Sequence, residues 1–287
     1  MHTRGGYARQ TMTLRDALLE ASASISRRDA ETLLAHTLGR DRAWLLAHMD
    51  DELAAADLES FRELASRRAA QQPLQHLTGV QEFFGLELHV TSDVLIPRPE
   101  TEHLVESVLD WARARPDPHL NVVDVGTGSG AIAIALAAVL EHASVTAIDL
   151  SPAALAVARE NAQRLGLAGR IEFLEGDLLD PLAGASARFD VIASNPPYVA
   201  LDDAPTLAPE VRDHEPALAL FAGRDGLEIY RRLIPQALEL LRPGGLLAME
   251  IGFGQRDALT ELLTGWQSVR FVDDYAGIPR VVLAIRP

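Results

Sequence analysis

Residues 122–135 read VVDVGTGSGAIAIA. A short apolar run carrying the carboxylate of Asp124 meets Gly126, Thr127, Gly128, Ser129 and Gly130, and an alanine- and isoleucine-rich run follows. The pattern predicts a strand, a tight loop and a helix. Glycines let a ligand approach the backbone, and the helix N-terminus behind them favours polar or negative groups. Asp149 closes the next apolar run, SVTAIDL (144–150), roughly 20 residues on, where an acid accepts the hydroxyls of a ribose. The bland reading is a tight strand–helix turn with a capping aspartate. Asp149 at this place tips the balance to a nucleoside site. The loop also fits the looser dinucleotide pattern, so a nicotinamide enzyme or a non-catalytic nucleoside-binding module stays open. Asp124 counts against the dinucleotide, because its charge would oppose a pyrophosphate.

Outward from this loop, strands and helices alternate. SPAALAVARENAQRLG (151–166) is a helix with Ser151 as cap and Pro152 at its first position. RIEFLEGD (170–177) and FDVIASN (189–195) are strands, and DGLEIYRRLIPQALELL (225–241) is a helix stopped by RPGG. GLLAMEIG (245–252) is a strand and QRDALTELLTGW (255–266) a helix. VRFVDDYAG (269–277) and RVVLAIRP (280–287) close the chain as a strand pair. This is the signature of an open, mostly parallel α/β sheet.

Upstream the character changes. Residues 13–23, 26–39, 41–49 and 56–70 carry apolar residues at three- and four-residue spacing, which predicts four short amphipathic helices. Thr13, Ser26, Asp41 and Asp57 are expected N-caps and Gly39 a C-cap. Between the bundle and the α/β part, Phe83, Leu86, Leu88 and Val90 sit in a loosely alternating stretch with Gly79 and Gly85 as turn residues, which predicts a β-hairpin. Pro97 and Pro99 end the extended stretch, and Pro99 opens the next helix (99–115).

The chain has 287 residues, 48% of them hydrophobic, enough to bury a real core. No apolar run is long enough for a membrane span, and MHTRGGYARQ (1–10) has no apolar core, so no signal peptide is expected. A cytoplasmic protein is the default. There is no cysteine, which removes disulfides, thiolate nucleophiles and cysteine metal sites. The net charge is −15, and all 26 basic residues are arginine, so no lysine is present for phosphate or Schiff-base chemistry. With no dense basic run, tracking a nucleic-acid backbone is disfavoured.

The strand FDVIAS delivers Asn195, Pro196, Pro197 and Tyr198 to one point. A rigid turn after a strand is the plain alternative, since Asn-Pro starts turns, but no part in hydride transfer suggests itself. The joint occurrence with the glycine loop and Asp149 favours a functional turn.

DVGTGSG (124–130) and AIDLS (147–151) resemble the first two motifs of class I S-adenosylmethionine-dependent methyltransferases. That resemblance implies the methionine end of the cofactor by Gly126, Thr127, Gly128, Ser129 and Gly130, the ribose on Asp149, and the adenine beside Asp177 and Leu178 of GDLLD (176–180). NPPY (195–198) resembles the catalytic motif of methyltransferases acting on planar nitrogen: adenine-N6, guanine-N2 and glutamine-N5 enzymes. LIPRPETE (95–102), EVRDHEPALAL (210–220) and GRDGLEIYRRL (223–233) narrow the likeness to the release factor glutamine methyltransferases. The resemblance implies a Rossmann-like methyltransferase domain with a mostly parallel seven-stranded sheet and an antiparallel last strand. A helical domain at residues 11–74 would dock the substrate, a hairpin linker would span 75–97, and the methyltransferase domain 98–287.

The implied reaction moves the methyl group of S-adenosylmethionine to the N5 amide nitrogen of the glutamine in the Gly-Gly-Gln loop of peptide chain release factors, leaving S-adenosylhomocysteine. The amide lone pair is delocalised, so the enzyme must hold and orient the NH₂ group. Asn195 and the Pro196 carbonyl are expected to accept its two N–H groups, the prolines to fix that carbonyl, and Tyr198 to offer a flat wall. No general base is nominated. An adenine-N6 or guanine-N2 nucleic-acid methyltransferase is the alternative. Arg98 is expected near the site as a linker anchor or substrate contact, and Phe83 and Phe84 are expected to pack the hairpin. His214 lacks neighbours for a metal site, and the stretch 199–225 is expected to cover the substrate.

Overall fold

The computed structural model describes residues 12–184 and 189–287. The signal-peptide reading of residues 1–10 lies outside the described residues. The chain divides into two compact units, Met1–Thr78 and Gly79–Pro287.

The first unit is helical: α1 (Leu14–Ala21), α2 (Arg27–Leu38), α3 (Arg42–Ala47), α4 (Ala55–Ala69) and the short α5 (Leu74–Thr78). Local sequence sets these ends. Thr13 and Asp16 form a reciprocal capping box on α1, a device worth about 1 kcal/mol. Ser26 caps α2 through the Asp29 amide, Gly39 ends it at φ 60°, and Asp41 caps α3 through the Trp44 amide. Asp57 is not a cap. The N-cap of α4 is Ala54, without a side-chain bond, and Asp57 sits in the first turn. There its charge faces the positive end of the helix dipole, so an acid suits either position. Leu18, Leu33, Leu34, Leu45 and Phe61 form the buried centre of this unit.

The second unit opens with β1 (Val80–Phe83) and β2 (Leu86–His89), paired antiparallel through a two-residue turn. Phe84 and Gly85 both have positive φ, 53° and 74°, as a hairpin turn of this length requires. The hairpin is packed into this unit: Phe83 and Leu88 are buried in one core with Leu104, Val105 and Val108. Those three belong to α6 (Glu102–Arg113), which follows a 3₁₀ turn at Pro99–Thr101.

Then come β3 (Asn121–Val125), α7 (Ala131–Val139), β4 (Ser144–Asp149), α8 (Pro152–Arg164), β5 (Ile171–Glu175) and β6 (Phe189–Ser194). The short helices α9 (Pro209–Arg212) and α10 (Ala217–Leu220) precede α11 (Glu228–Leu240), β7 (Leu241–Glu250), α12 (Arg256–Leu262), β8 (Gln267–Asp273) and β9 (Pro279–Ile285). The seven-stranded sheet has the order β5-β4-β3-β6-β7-β9-β8, with β9 antiparallel to both neighbours. RPGG lies inside β7 as a bulge: Leu241 pairs with Phe189 and Leu246 with Val191. Its central strands are near-continuous apolar runs because helices cover both faces. Val123, Val125 and Ile192 face one core, Val122, Val191 and Ala193 the other. Among the described residues no helix is long and apolar enough to cross a membrane.

The sheet places the site. The chain runs from β3 outward to β5 and then returns to add β6 on the other side of β3. At such a switch point the loops leave in opposite directions and a crevice opens at the carboxyl ends of the strands. Val125 pairs with Ser194 there, and the Ser194 hydroxyl donates to the Val125 carbonyl at 2.7 Å.

Candidate active site

The glycine loop leaves β3 and the Asn-Pro-Pro-Tyr turn leaves β6, side by side. One cleft is lined by Gly126, Thr127, Gly128, Ser129, Asp149, Asp177, Leu178, Asn195, Pro196 and Pro197. Two sequence-selected residues fall outside its wall. A β-carbon on Gly130 would stand 2.9 Å from Ile134 Cδ1 and 3.2 Å from Ala158 Cβ, so this glycine serves the close approach of α7 and α8. Tyr198 packs partly against the core behind the turn.

The loop is wired internally in a way that decides what it can hold. The Gly126 and Thr127 amides donate to the Ile148 carbonyl, and the Gly130 amide to the Thr127 carbonyl. The Gly128 amide donates to Asp149 Oδ2 at 2.8 Å, and the Ser151 amide to Asp149 Oδ1 at 2.9 Å. At the start of α7 the Ala133 amide donates to Asp124 Oδ2 at 3.1 Å, joined by the Thr127 hydroxyl at 2.6 Å. The anion at this helix N-terminus is therefore the protein's own Asp124, and a pyrophosphate finds most of the loop amides taken. Asp124 is fully buried, and its second oxygen, Oδ1, has no partner. Burial pushes its carboxyl up to about 7, and burial also raises Asp149. An acceptor of this kind suits a cation. Gly126 and Gly128 have open space where a β-carbon would stand. An orphaned acid behind the loop, open glycines before it and the acid of Asp149 fit the ammonium, sulfonium and ribose of S-adenosylmethionine better than a dinucleotide.

At the other side of the cleft, Asn195 Nδ2 donates to the Thr101 hydroxyl at 3.1 Å. The Thr101 hydroxyl donates to Glu250 Oε2 at 2.6 Å, and the Tyr198 hydroxyl to Glu250 Oε1 at 3.2 Å. Gln255 clasps the turn from behind, its Nε2 donating to the carbonyls of Tyr198 and Gly226 at 3.1 and 3.2 Å. Gly226 has to be glycine: a β-carbon there would stand 2.3 Å from the Tyr198 carbonyl oxygen.

Asp177 turns its carboxylate to Arg232 at 2.6 Å, and Leu178, at φ 51°, adopts a backbone conformation uncommon for leucine at the cleft rim. Arg98 donates to Glu215 Oε1 at 2.6 Å. The Glu215 side chain is 1% exposed, so Arg98 fastens the segment after the turn. That segment supplies Pro216, Leu218, Ala219 and Phe221 to the cleft wall. Among the described residues no cluster could hold a metal ion.

Sequence reading did not assign roles to Thr101, Glu250, Gln255 or Glu215. The signal for Glu250 was available, as an acid ending an otherwise apolar strand, but nothing local says where it points.

Residues 116–268 match the family described as a methyltransferase domain, and residues 13–79 match the PrmC N-terminal domain. The chain is 47% identical over 285 residues to a release factor glutamine methyltransferase of Moorella thermoacetica, covering 96% of this chain and 99% of the relative. It is 46% identical over 272 residues to the protein of the same name from Bordetella pertussis, covering 94% and 98%. Among solved structures, the human Mettl16 catalytic domain in complex with an RNA hairpin of MAT2A aligns with a TM-score of 0.59 at 20% identity. The alignment covers 78% of this chain and 82% of that one. At that identity the likeness is one of fold.

Proposed function

The chain belongs to the release factor glutamine methyltransferases, and on that footing we propose how its own residues carry the reaction. The protein methylates glutamine in peptide chain release factors with S-adenosylmethionine as donor. Two motifs meeting in one cleft at the β3/β6 switch point carry this reading: the loop 126–130 with Asp149 on one side, the turn 195–198 on the other.

S-Adenosylmethionine supplies an electrophilic methyl group on its sulfonium. The glycine loop, with Asp124 buried behind it, would hold the amino-acid end, Asp149 the ribose, and Asp177 and Leu178 would border the adenine. Asn195 has given its NH₂ end to Thr101, so its oxygen is free to accept one N–H of the glutamine amide. The Pro196 carbonyl would accept the other, and Tyr198 braces the turn from behind. Held in this way, the nitrogen would turn its lone pair out of the amide plane toward the donor side of the cleft. Positioning of well-oriented reactants is worth up to roughly 7–11 kcal/mol of barrier. The N-methylated amide loses its surplus proton to water, and no general base is assigned.

The acceptor is the N5 nitrogen of the glutamine in the Gly-Gly-Gln loop, and the helical unit docks the release factor. The product is S-adenosylhomocysteine, and the place of action is the cytoplasm, where translation ends. A nucleic-acid base as acceptor would call for a basic track along the phosphates, which a lysine-free chain of net charge −15 does not favour.

The test is incubation with methyl-labelled S-adenosylmethionine and unmodified release factor, with DNA and ribosomal RNA in separate reactions. Label is expected in the Gly-Gly-Gln peptide by mass mapping. Label in nucleic acid and none in that peptide would overturn the reading. Asn195→Ala is expected to keep cofactor affinity and lose turnover by about 100-fold or more; unchanged turnover removes Asn195 from its role.

A further inference from the structure

Glu250 ends β7 at 2% exposure, and no sequence motif of the cofactor or acceptor site contains it. A buried carboxylate is costly unless it is hydrogen-bonded. Here each oxygen receives one hydroxyl, Thr101 at Oε2 and Tyr198 at Oε1. Its main-chain carbonyl accepts the hydroxyl of the fully buried Tyr230 at 2.9 Å, so the strand end itself is anchored.

With Glu250 ionised, the hydrogen count along this chain has one solution. An ionised carboxylate only accepts. Thr101 has a single hydroxyl hydrogen and spends it on Glu250, so toward Asn195 its oxygen must accept. Asn195 must therefore present NH₂ to Thr101, which leaves its oxygen for the substrate. Were the partner at position 250 able to donate, Thr101 could turn its hydrogen to Asn195, and the asparagine amide would flip. The NH₂ end would then meet the N–H of the glutamine, donor against donor. Tyr198, at the other oxygen, is held by the same carboxylate.

We propose that Glu250 is the positioning residue of the transfer site, fixing through Thr101 which end of the Asn195 amide faces the acceptor and through its second oxygen the place of Tyr198. The proposal rests on the methyl-transfer reading above and names a device within it. Glu250 is not part of the cleft wall, and Thr101 stands in that wall beside Asn195. Their effect belongs to kcat, because the flip changes the alignment of the acceptor amide while the surfaces that bind release factor and cofactor stay as they are.

Thr101→Val removes the hydroxyl at nearly constant shape, Thr101→Ser keeps it, and Glu250→Gln makes position 250 a donor. Thr101→Val and Glu250→Gln are expected to lower kcat on the order of 10- to 100-fold, the worth of a hydrogen bond to a misdirected buried group. KM for the release factor and the affinity for S-adenosylhomocysteine should each stay within about threefold, with Thr101→Ser recovering most of kcat. Thr101→Val with wild-type kcat, or equal losses for Val and Ser, would overturn the relay. Neutron diffraction reads the Asn195 amide without any substrate: deuterium faces Thr101 in the wild type and is reversed or split in Glu250→Gln. An unchanged amide in that variant also overturns the proposal. A wild-type protein that transfers no methyl group to release factor would instead sink the functional reading, and the neutron result would still decide the relay.

Discussion

Asp124 holds the start of α7 and the Thr127 hydroxyl with one oxygen and nothing with the other. Its carboxyl, pushed up to about 7 by burial, sets a pH dependence with a definite sign. In the unfolded chain an aspartate ionises near pH 4, so between there and about 7 the folded protein keeps a proton the unfolded one has lost. The contribution of Asp124 to stability is complete below the unfolded value and declines as pH rises through the folded one. Without ligand, the protein should melt at a lower temperature at pH 8 than at pH 6. Burial shifts Asp149, Glu215 and Glu250 the same way, so the difference between wild type and Asp124→Asn isolates this residue. The variant is expected to be the more stable at pH 8 by thermal melting, yet to bind S-adenosylmethionine about tenfold or more weakly, having lost a charged acceptor. Calorimetry at pH 6.5 in two buffers of different ionisation enthalpy should show proton release on binding by the wild type and none by Asp124→Asn. A pH-independent stability difference would remove the raised carboxyl, and equal proton release and equal affinity in the two proteins would remove Asp124 from the cationic end of the cofactor. The sequence supplied only half of this: it showed an acid where a pyrophosphate would be repelled, but the empty oxygen and the occupied amides are properties of the folded loop.

The elements most legible in the sequence were those whose ends carry their own chemistry: α1, α2, α3 and α8, with a hydroxyl or carboxylate accepting the first free amides. The segment between the Asn-Pro-Pro-Tyr turn and α11 was legible only as a long proline- and acid-rich stretch. Its course is decided by contacts far off in sequence. Val199 and Phe221 form an isolated parallel bridge, Gln255 ties Tyr198 to Gly226, and Glu215 reaches back to Arg98. That ion pair carries a prediction. Glu215 is buried and one of its oxygens is already without a partner, so Arg98→Ala strands a charge. Removing one partner of a buried pair typically costs about 3 kcal/mol or more. Urea unfolding should show that loss for Arg98→Ala and a partial recovery in the double variant with Glu215→Gln. Since Pro216, Leu218 and Phe221 hang on this anchor and line the cleft, KM should rise with Arg98→Ala as well. Additive effects of the two substitutions would mean that the pair is incidental.

At the scale of the whole chain, the alternation of periods separates a helical part from an α/β part, and the structure draws its two units at Thr78. Each unit has its own buried centre, one around Leu33, Leu34 and Phe61, the other on both faces of the sheet. The hairpin is where local pattern stops being informative. Read alone it is an extended stretch between two parts, whereas Phe83 and Leu88 belong to the core of the second unit, a fact set by their packing on α6. Every residue lining the cofactor and acceptor cleft, from Asp93 to Ile229, lies in that second unit. The chemistry and the docking of a protein substrate should therefore separate on cutting. A chain of residues 79–287 retains the whole sheet, both of its cores and the cleft, and is expected to fold and to bind S-adenosylhomocysteine within about threefold of the full chain. Binding energy from parts of the substrate remote from the reacting amide is what the helical unit would supply. Its removal should raise KM for intact release factor by at least about tenfold, and leave slow turnover of a short Gly-Gly-Gln peptide nearly unchanged. Measuring both substrates against both chains gives the discriminating result. Equal losses on peptide and protein would mean that the helical unit supports the fold of the catalytic one, whereas a loss confined to intact release factor would assign it the docking of the substrate.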